Sequence, residues 1–310
     1  MSIDRQTSLQ TLLADHAWHN DTVPVTATID LHAPLLVEGC FLTGWLPAAT
    51  AHPARTTFNV LHDDGPAIIL EGPTAGVIGC VFRYPNQDRV NPRPYPPTIH
   101  ATTGGVTVRS CVFQGAYQMM QLDKAGQDVI EDIWGQVLNV GIEASNADDV
   151  ARFRQIHLWP NWSMDALPFA YNPPGNASGA AAGLVLRGLD WAHLDDVFVF
   201  GCKTAVQVLP GRGGRGCGFR AGTVDIDACS VGLDVRAIGQ DGISIANLTM
   251  AGNTHYGAEP LTGLVMNAPA GGGHMIVSAA HFHGMIGEQV VHLLTTPDRL
   301  RIVSIIRETF

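Results

Sequence analysis

The chain has 310 residues, a formal net charge of −10, 15% charged residues and 34 glycines. That length admits one or two domains with a sizeable core, and 46% hydrophobic content excludes disorder over most of it. The acidic balance speaks against a general nucleic-acid binder, and abundant glycine without a G-X-Y period, with only Lys124 and Lys203 as lysines, points away from collagen or helices and toward short strands joined by turns.

Residues 1–22 stand apart. Leu9, Leu12, Leu13 and His16 recur at helical spacing, with Thr7 or Ser8 placed to cap the helix. The segment is expected either to cover the open end of the following domain or to attach the chain to another protein. Met1 to Asn20 holds no apolar stretch of signal-peptide length, and no run of about 18 apolar residues occurs, so no export signal and no membrane insertion are expected.

From residue 23 to 310 a strand-like phrase recurs ten times: Leu36–Leu42, Val77–Phe82, Val106–Phe113, Val129–Trp134, Val150–Trp159, His193–Phe200, Phe219–Asp227, Ile243–Met250, Met275–His283 and Leu300–Ile306. From Val106 the starts lie roughly 21 to 32 residues apart, with one interval of about 43 that carries an insertion. A single coil cannot bury its own inner face, so this period predicts a parallel β-solenoid whose coils stack about 4.8 Å apart. A leucine-rich repeat lacks its L-x-x-L-x-L-x-x-N phrase here, and a propeller needs a longer period.

The six cysteines form no C-x-x-C pair. Cys40, Cys80 and Cys111 fall at matching places in their phrases, which predicts an internal ladder of small apolar side chains rather than disulfides. Pro85–Thr98 carries five prolines and is expected to leave the coil as a stiff loop. Pro160–Gly183 is longer and holds Trp162, Phe169 and Tyr171; long ordered loops are usually functional. Gly211–Gly216 matches G-x-G-x-x-G, but a strand rather than a helix follows it, so it reads as a turn and no cofactor is expected. Asn161 and Asn176 begin glycosylation acceptor triplets with no export signal to support their use.

Several phrases in order resemble one family. They are Phe82–Gln87, Tyr95–Ile99, Gly115–Tyr117, Ile156–Trp162, and Asp190–Trp191 leading to Val197–Gly201. Together, over roughly residues 76–290, they resemble right-handed parallel β-helix proteins of the pectate-lyase-like superfamily. Members include phage tail spikes, gene transfer agent spikes and polysaccharide-acting enzymes. The resemblance implies an all-β, right-handed parallel β-helix of about ten coils and a carbohydrate context. It also implies a homo-oligomer, with a trimer expected. Fold alone does not fix activity.

Strand alternation places Ile133, Ile156, Leu158, Val197, Val199, Val224, Ile226, Ala280 and Phe282 inward. The outward file is then Trp134, His157, Trp159, Phe198, Phe200, Asp225, Asp227, His281 and His283. With Trp162 and Tyr171 from the insertion, such a wall suits a glycan, because aromatic faces pack on sugar C–H groups and carboxylates accept from hydroxyls. A subunit interface or simple exposure remains open for the same face. Asp225 and Asp227 point the same way about 6.6–7 Å apart along the strand, near the carboxyl spacing of inverting glycosidases. Asp148, Asp195 and Asp196 are further acidic candidates. His281 and His283 share a face, but no third ligand can be named, and no metal is expected.

The leading expectation is a phage-like or gene-transfer-agent spike that binds cell-surface polysaccharide, such as capsule, for host attachment. It would be made in the cytoplasm, released by lysis on a virus-like particle, and joined to a particle or spike-base protein through residues 1–22. The alternatives are a depolymerase that cleaves that polysaccharide, and a structural spike component that carries another receptor-binding protein.

Overall fold

The computed structural model describes residues 5–44, 56–88, 91–159, 181–252, 262–268, 272–284, 291–294 and 299–308. The chain forms a parallel β-helix, preceded by the short helix α1 (Arg5–Asp15). The first coils show three sides. β1 (Thr22–Pro24), β2 (Thr28–Leu31) and β3 (Leu35–Glu38) make one coil. β4 (Phe41–Thr43), β5 (Thr57–Val60) and β6 (Ile68–Glu71) make the next. β7 (Gly76–Ile78), β8 (Val81–Arg83) and β9 (Pro97–Ala101) make the third. Each strand pairs in parallel with its counterpart one coil on.

From β10 (Thr107–Gln114) onward, two sides run as one bent strand. Its first half pairs with β7 and its second with β8. The bend falls at Ser110, with φ 53°. Gly79, Asp132, Gln155 and Asp196 hold the same corner, also at positive φ. β12 (Val129–Gly135), β14 (Arg152–Leu158), β16 (Ala192–Phe200), β18 (Cys217–Asp227), β20 (Ile238–Ala251), β22 (Met275–His283) and β24 (Leu300–Glu308) continue this bent sheet. β11 (Gln118–Leu122), β13 (Val140–Ser145), β15 (Ala182–Arg187), β17 (Thr204–Leu209), β19 (Val231–Val235), β21 (Thr262–Met266) and β23 (Val291–Leu293) continue the third side. Among the described residues, ten coils are complete and β24 begins an eleventh.

Inward residues stack like over like. Phe58, Phe82 and Phe113 occupy one inner file, with ring centroids 5.6 and 5.3 Å apart. Each such ring, fully buried, contributes about 1.5–3 kcal/mol. The nine residues expected inward are all buried, which fixes the strand register on the outward wall.

The cysteine ladder needs correcting. All six thiols are buried and free, and Cys80 does stack on Cys111. Cys40 does not join them. Phe41 pairs with Gly76, so Cys40 stands over Ala75 at a different corner. The first phrase, Leu36–Leu42, in fact turns this corner from β3 into β4 at Gly39, with φ 54°. A second cysteine stack, Cys202 with Cys229, lies farther along, and the Cys202 backbone N–H donates to Cys229 Sγ at 3.3 Å.

α1 covers the first coil. Leu9 and Leu13 are buried, while Leu12 is exposed. Gln6 Nε2 donates to the Ala33 carbonyl and its Oε1 accepts from the His32 N–H. Gln10 makes the same two bonds to Leu36. These carboxamides satisfy edge groups that an open coil would leave unpaired. Thr7 and Ser8 lie inside the helix rather than capping it; the Thr11 hydroxyl donates back to the Thr7 carbonyl at 3.0 Å. No described helix is long and apolar enough to cross a membrane.

The proline-rich segment does leave the wall between β8 and β9, but Pro97 and Thr98 already belong to β9. Gln87 latches the loop: its Oε1 accepts from the Arg93 N–H at 2.6 Å and its Nε2 donates to the Gly115 carbonyl at 3.3 Å. Residues Arg212–Gly214 form a single 3-10 turn before strand β18, as expected for Gly211–Gly216.

Candidate functional site

The bent sheet carries the candidate residues in two neighbouring files. In the first, Trp134, His157, Phe198, Asp225, Thr249 and His281 pair in register on successive coils. In the second, Phe200, Asp227, Ala251 and His283 do the same. Trp159 stands one coil before Phe200, its ring 6.4 Å away. Every one of these residues is half-buried rather than fully exposed. Trp162 and Tyr171 lie outside the described residues.

The upper wall is a continuous aromatic stack. The Trp134 and His157 rings lie 4.2 Å apart and nearly parallel. Phe198 is 4.8 Å from His157 on the other side. Trp134 Nε1 donates to Asp132 Oδ1 at 2.6 Å, which ties the indole to the corner residue of its own strand. Burial lowers the His157 pKa, with Asp196 opposing it.

The carboxylates follow directly below the aromatics. Burial raises the Asp227 pKa; the Ala228 N–H and the His283 ring partly offset this. Thr249 and Ala251 separate the acids from the imidazoles, so each acid and its imidazole stand two coils, about 9.6 Å, apart. The His281 and His283 rings are 5.2 Å apart. Among the described residues, no group of three His, Cys, Asp or Glu could hold a metal ion.

Two features escaped the sequence reading. Gln136 follows β12 beside Trp159, is 2% exposed, and has neither carboxamide atom hydrogen-bonded. His157 Nε2 and Trp159 Nε1 are likewise buried without a partner. Glutamine has no pattern that announces such a position. Away from the wall, a cleft of about 610 Å³ lies where β16, β18 and β20 begin, lined by Leu189, Asp190, Arg215, Gly218, Ile238 and Asp241 among others. Burial and a hydrogen bond with Asp241 raise the Asp190 pKa. Arg215 reaches both Asp148 and Asp190, so Asp148 is placed with this cleft and not with the wall. A hydrogen-bonded carboxyl pair is closer than the 5 Å or more that glycosidase pairs require.

No protein-family model matches the chain, and no curated protein matches it in sequence.

Proposed function

We propose that this β-helix binds a cell-surface polysaccharide along the bent sheet, as a spike of a phage-like or gene-transfer-agent particle. The observation that carries the reading is the stack Trp134–His157–Phe198 with Trp159 and Phe200 beside it, followed by Asp225 and Asp227. A run of half-buried ring edges with carboxylates at one end offers apolar contact to sugar C–H groups and acceptors to hydroxyls. The resemblance to pectate-lyase-like β-helices supports the carbohydrate context. In this reading the protein is displayed on the particle as a homo-oligomer and is attached through residues 1–22, on the part of α1 not engaged with the first coil. The test is binding of the purified protein to host capsule and lipopolysaccharide on a glycan array. Trp159→Ala and Phe198→Ala are expected to lose at least tenfold in affinity, and absence of any binding by the unmodified chain refutes the reading.

The second reading, a depolymerase, is favoured by one observation. Asp227 has a raised pKa beside Asp225 on the same face, which suits a general acid paired with a base. It predicts release of reducing ends from the bound polysaccharide, lost in Asp225→Asn and Asp227→Asn.

A further inference from the structure

We infer that Gln136, His157 and Trp159 form a subsite for an uncharged sugar carrying vicinal hydroxyls; this rests on the glycan reading above and narrows it to neutral polysaccharides.

Four polar atoms on these neighbouring wall positions are buried without a hydrogen-bond partner: Gln136 Oε1 and Nε2, His157 Nε2 and Trp159 Nε1. Trp159 donates its backbone N–H to Gly135, which sets it beside Gln136 on the adjacent coil. The His157 and Trp159 rings are 5.8 Å apart. Leaving such groups buried and unpaired forfeits their hydration without return, so this one patch carries an unusual cost in the free protein. His157 and Trp159 are half-buried on the outward wall, and a ligand engages these atoms only with a side-chain rearrangement that uncovers them.

The donor and acceptor pattern specifies the ligand. A carboxamide accepts from one hydroxyl and donates to its neighbour, which matches adjacent hydroxyls of a pyranose. The indole N–H adds a donor. The imidazole, whose pKa burial lowers, supplies either role when neutral. Charge narrows the class further. The charged neighbours on or beside this stretch are Asp132, Asp196, Asp225 and Asp227. Arg83, farther up the second file, has its Nε on Gln114 Oε1. Arg154 lies on the neighbouring side of the sheet, in register between Glu131 and Asp195. The described charges on or beside the Gln136–His157–Trp159 stretch are thus mainly carboxylates, which disfavours uronates and other acidic sugars.

The test uses the full chain with dextran and mannan as neutral probes and alginate as the acidic one. Gln136→Leu and Gln136→Met roughly keep the side-chain size and each removes both unpaired atoms, so the two variants are read together. The expected result is binding of at least one neutral probe, at least tenfold tighter than alginate, with that binding weakened at least tenfold in both variants while their melting temperatures rise. Preference for alginate, or unchanged neutral binding or a lower melting temperature in either variant, overturns the subsite but leaves the glycan reading standing. Failure of the unmodified chain to bind any polysaccharide, host material included, overturns both.

Discussion

Trp134 and His157 stack at 4.2 Å between ring centroids although a full coil of chain separates them. The pairing follows from solenoid register: whatever one strand presents outward, the next strand presents one layer away. His157 is therefore sandwiched, with Phe198 on its other side, and burial depresses its pKa. A folded pKa below that of the unfolded chain contributes stability above the unfolded value, about 6.5, that is lost as pH falls through the folded value. The melting temperature is expected to fall as the pH drops below about 6.5, and His157→Phe is expected to reduce that fall. Equal slopes in thermal scans of the two proteins would show that His157 does not titrate in this way.

A carboxyl in the solenoid interior gives the opposite dependence. Asp128 is fully buried and occupies the inner file between Val106 and Ala151. Burial raises its pKa to about 7, against the Val106 and Gly105 N–H groups. Its contribution is fully present below the unfolded pKa of about 3.9 and is lost as pH rises through the folded value. Asp128→Asn is expected to gain on the parent protein between pH 4 and 8, by at most roughly 4 kcal/mol. Urea unfolding at the two pH values measures this, and a difference independent of pH refutes it.

Much of this architecture was legible because stacking repeats a residue type at each coil. The alternation Ile156–His157–Leu158–Trp159 is enough to assign faces once a buried inner file is assumed, and the structure buries the inward set as expected. The corners were harder to read. Gly39-Cys40 and Gly79-Cys80 look identical, yet one opens the bent sheet and the other bends it midway. A positive φ favours glycine at either place, so the dipeptide reports a corner without saying which. Ser110, Asp132, Gln155 and Asp196 turn the same bend without glycine, which hides the three-sided coil altogether. The short strands β1, β2 and β5 lack a distinctive phrase and were not foreseen. At the site, ring-bearing residues announced themselves, whereas Gln136 became visible only through its missing hydrogen bonds.

The helical cap makes a separable prediction. Gln10→Ala removes both bonds to Leu36 and is expected to cost about 1–3 kcal/mol. Gln6→Ala, with its bonds to His32 and Ala33, is expected to cost a similar amount. Denaturant titrations measure both. Losses below about 0.5 kcal/mol would show that water replaces the carboxamides and that the edge needs no cap.

Thiol chemistry tests the packing of the coils themselves. The six cysteines are buried and free. Burial pushes Cys111 up to about 12 and Cys217 up to about 11, and raises Cys80 well above the usual thiol range. Cys202 is raised by its hydrogen bond with Cys229 and by burial. Since the thiolate is the reacting species, the folded protein is expected to be inert to a colorimetric disulfide reagent at neutral pH. All six thiols should react once urea unfolds the chain. The reaction in dilute urea should then follow the global unfolding rate, because each sulfur is shielded by the coils above and below it. Rapid labelling of the native protein at Cys202 or Cys229 would mean that this stack opens locally. A count two short after unfolding would mean that the neighbouring pair had been oxidised to a disulfide.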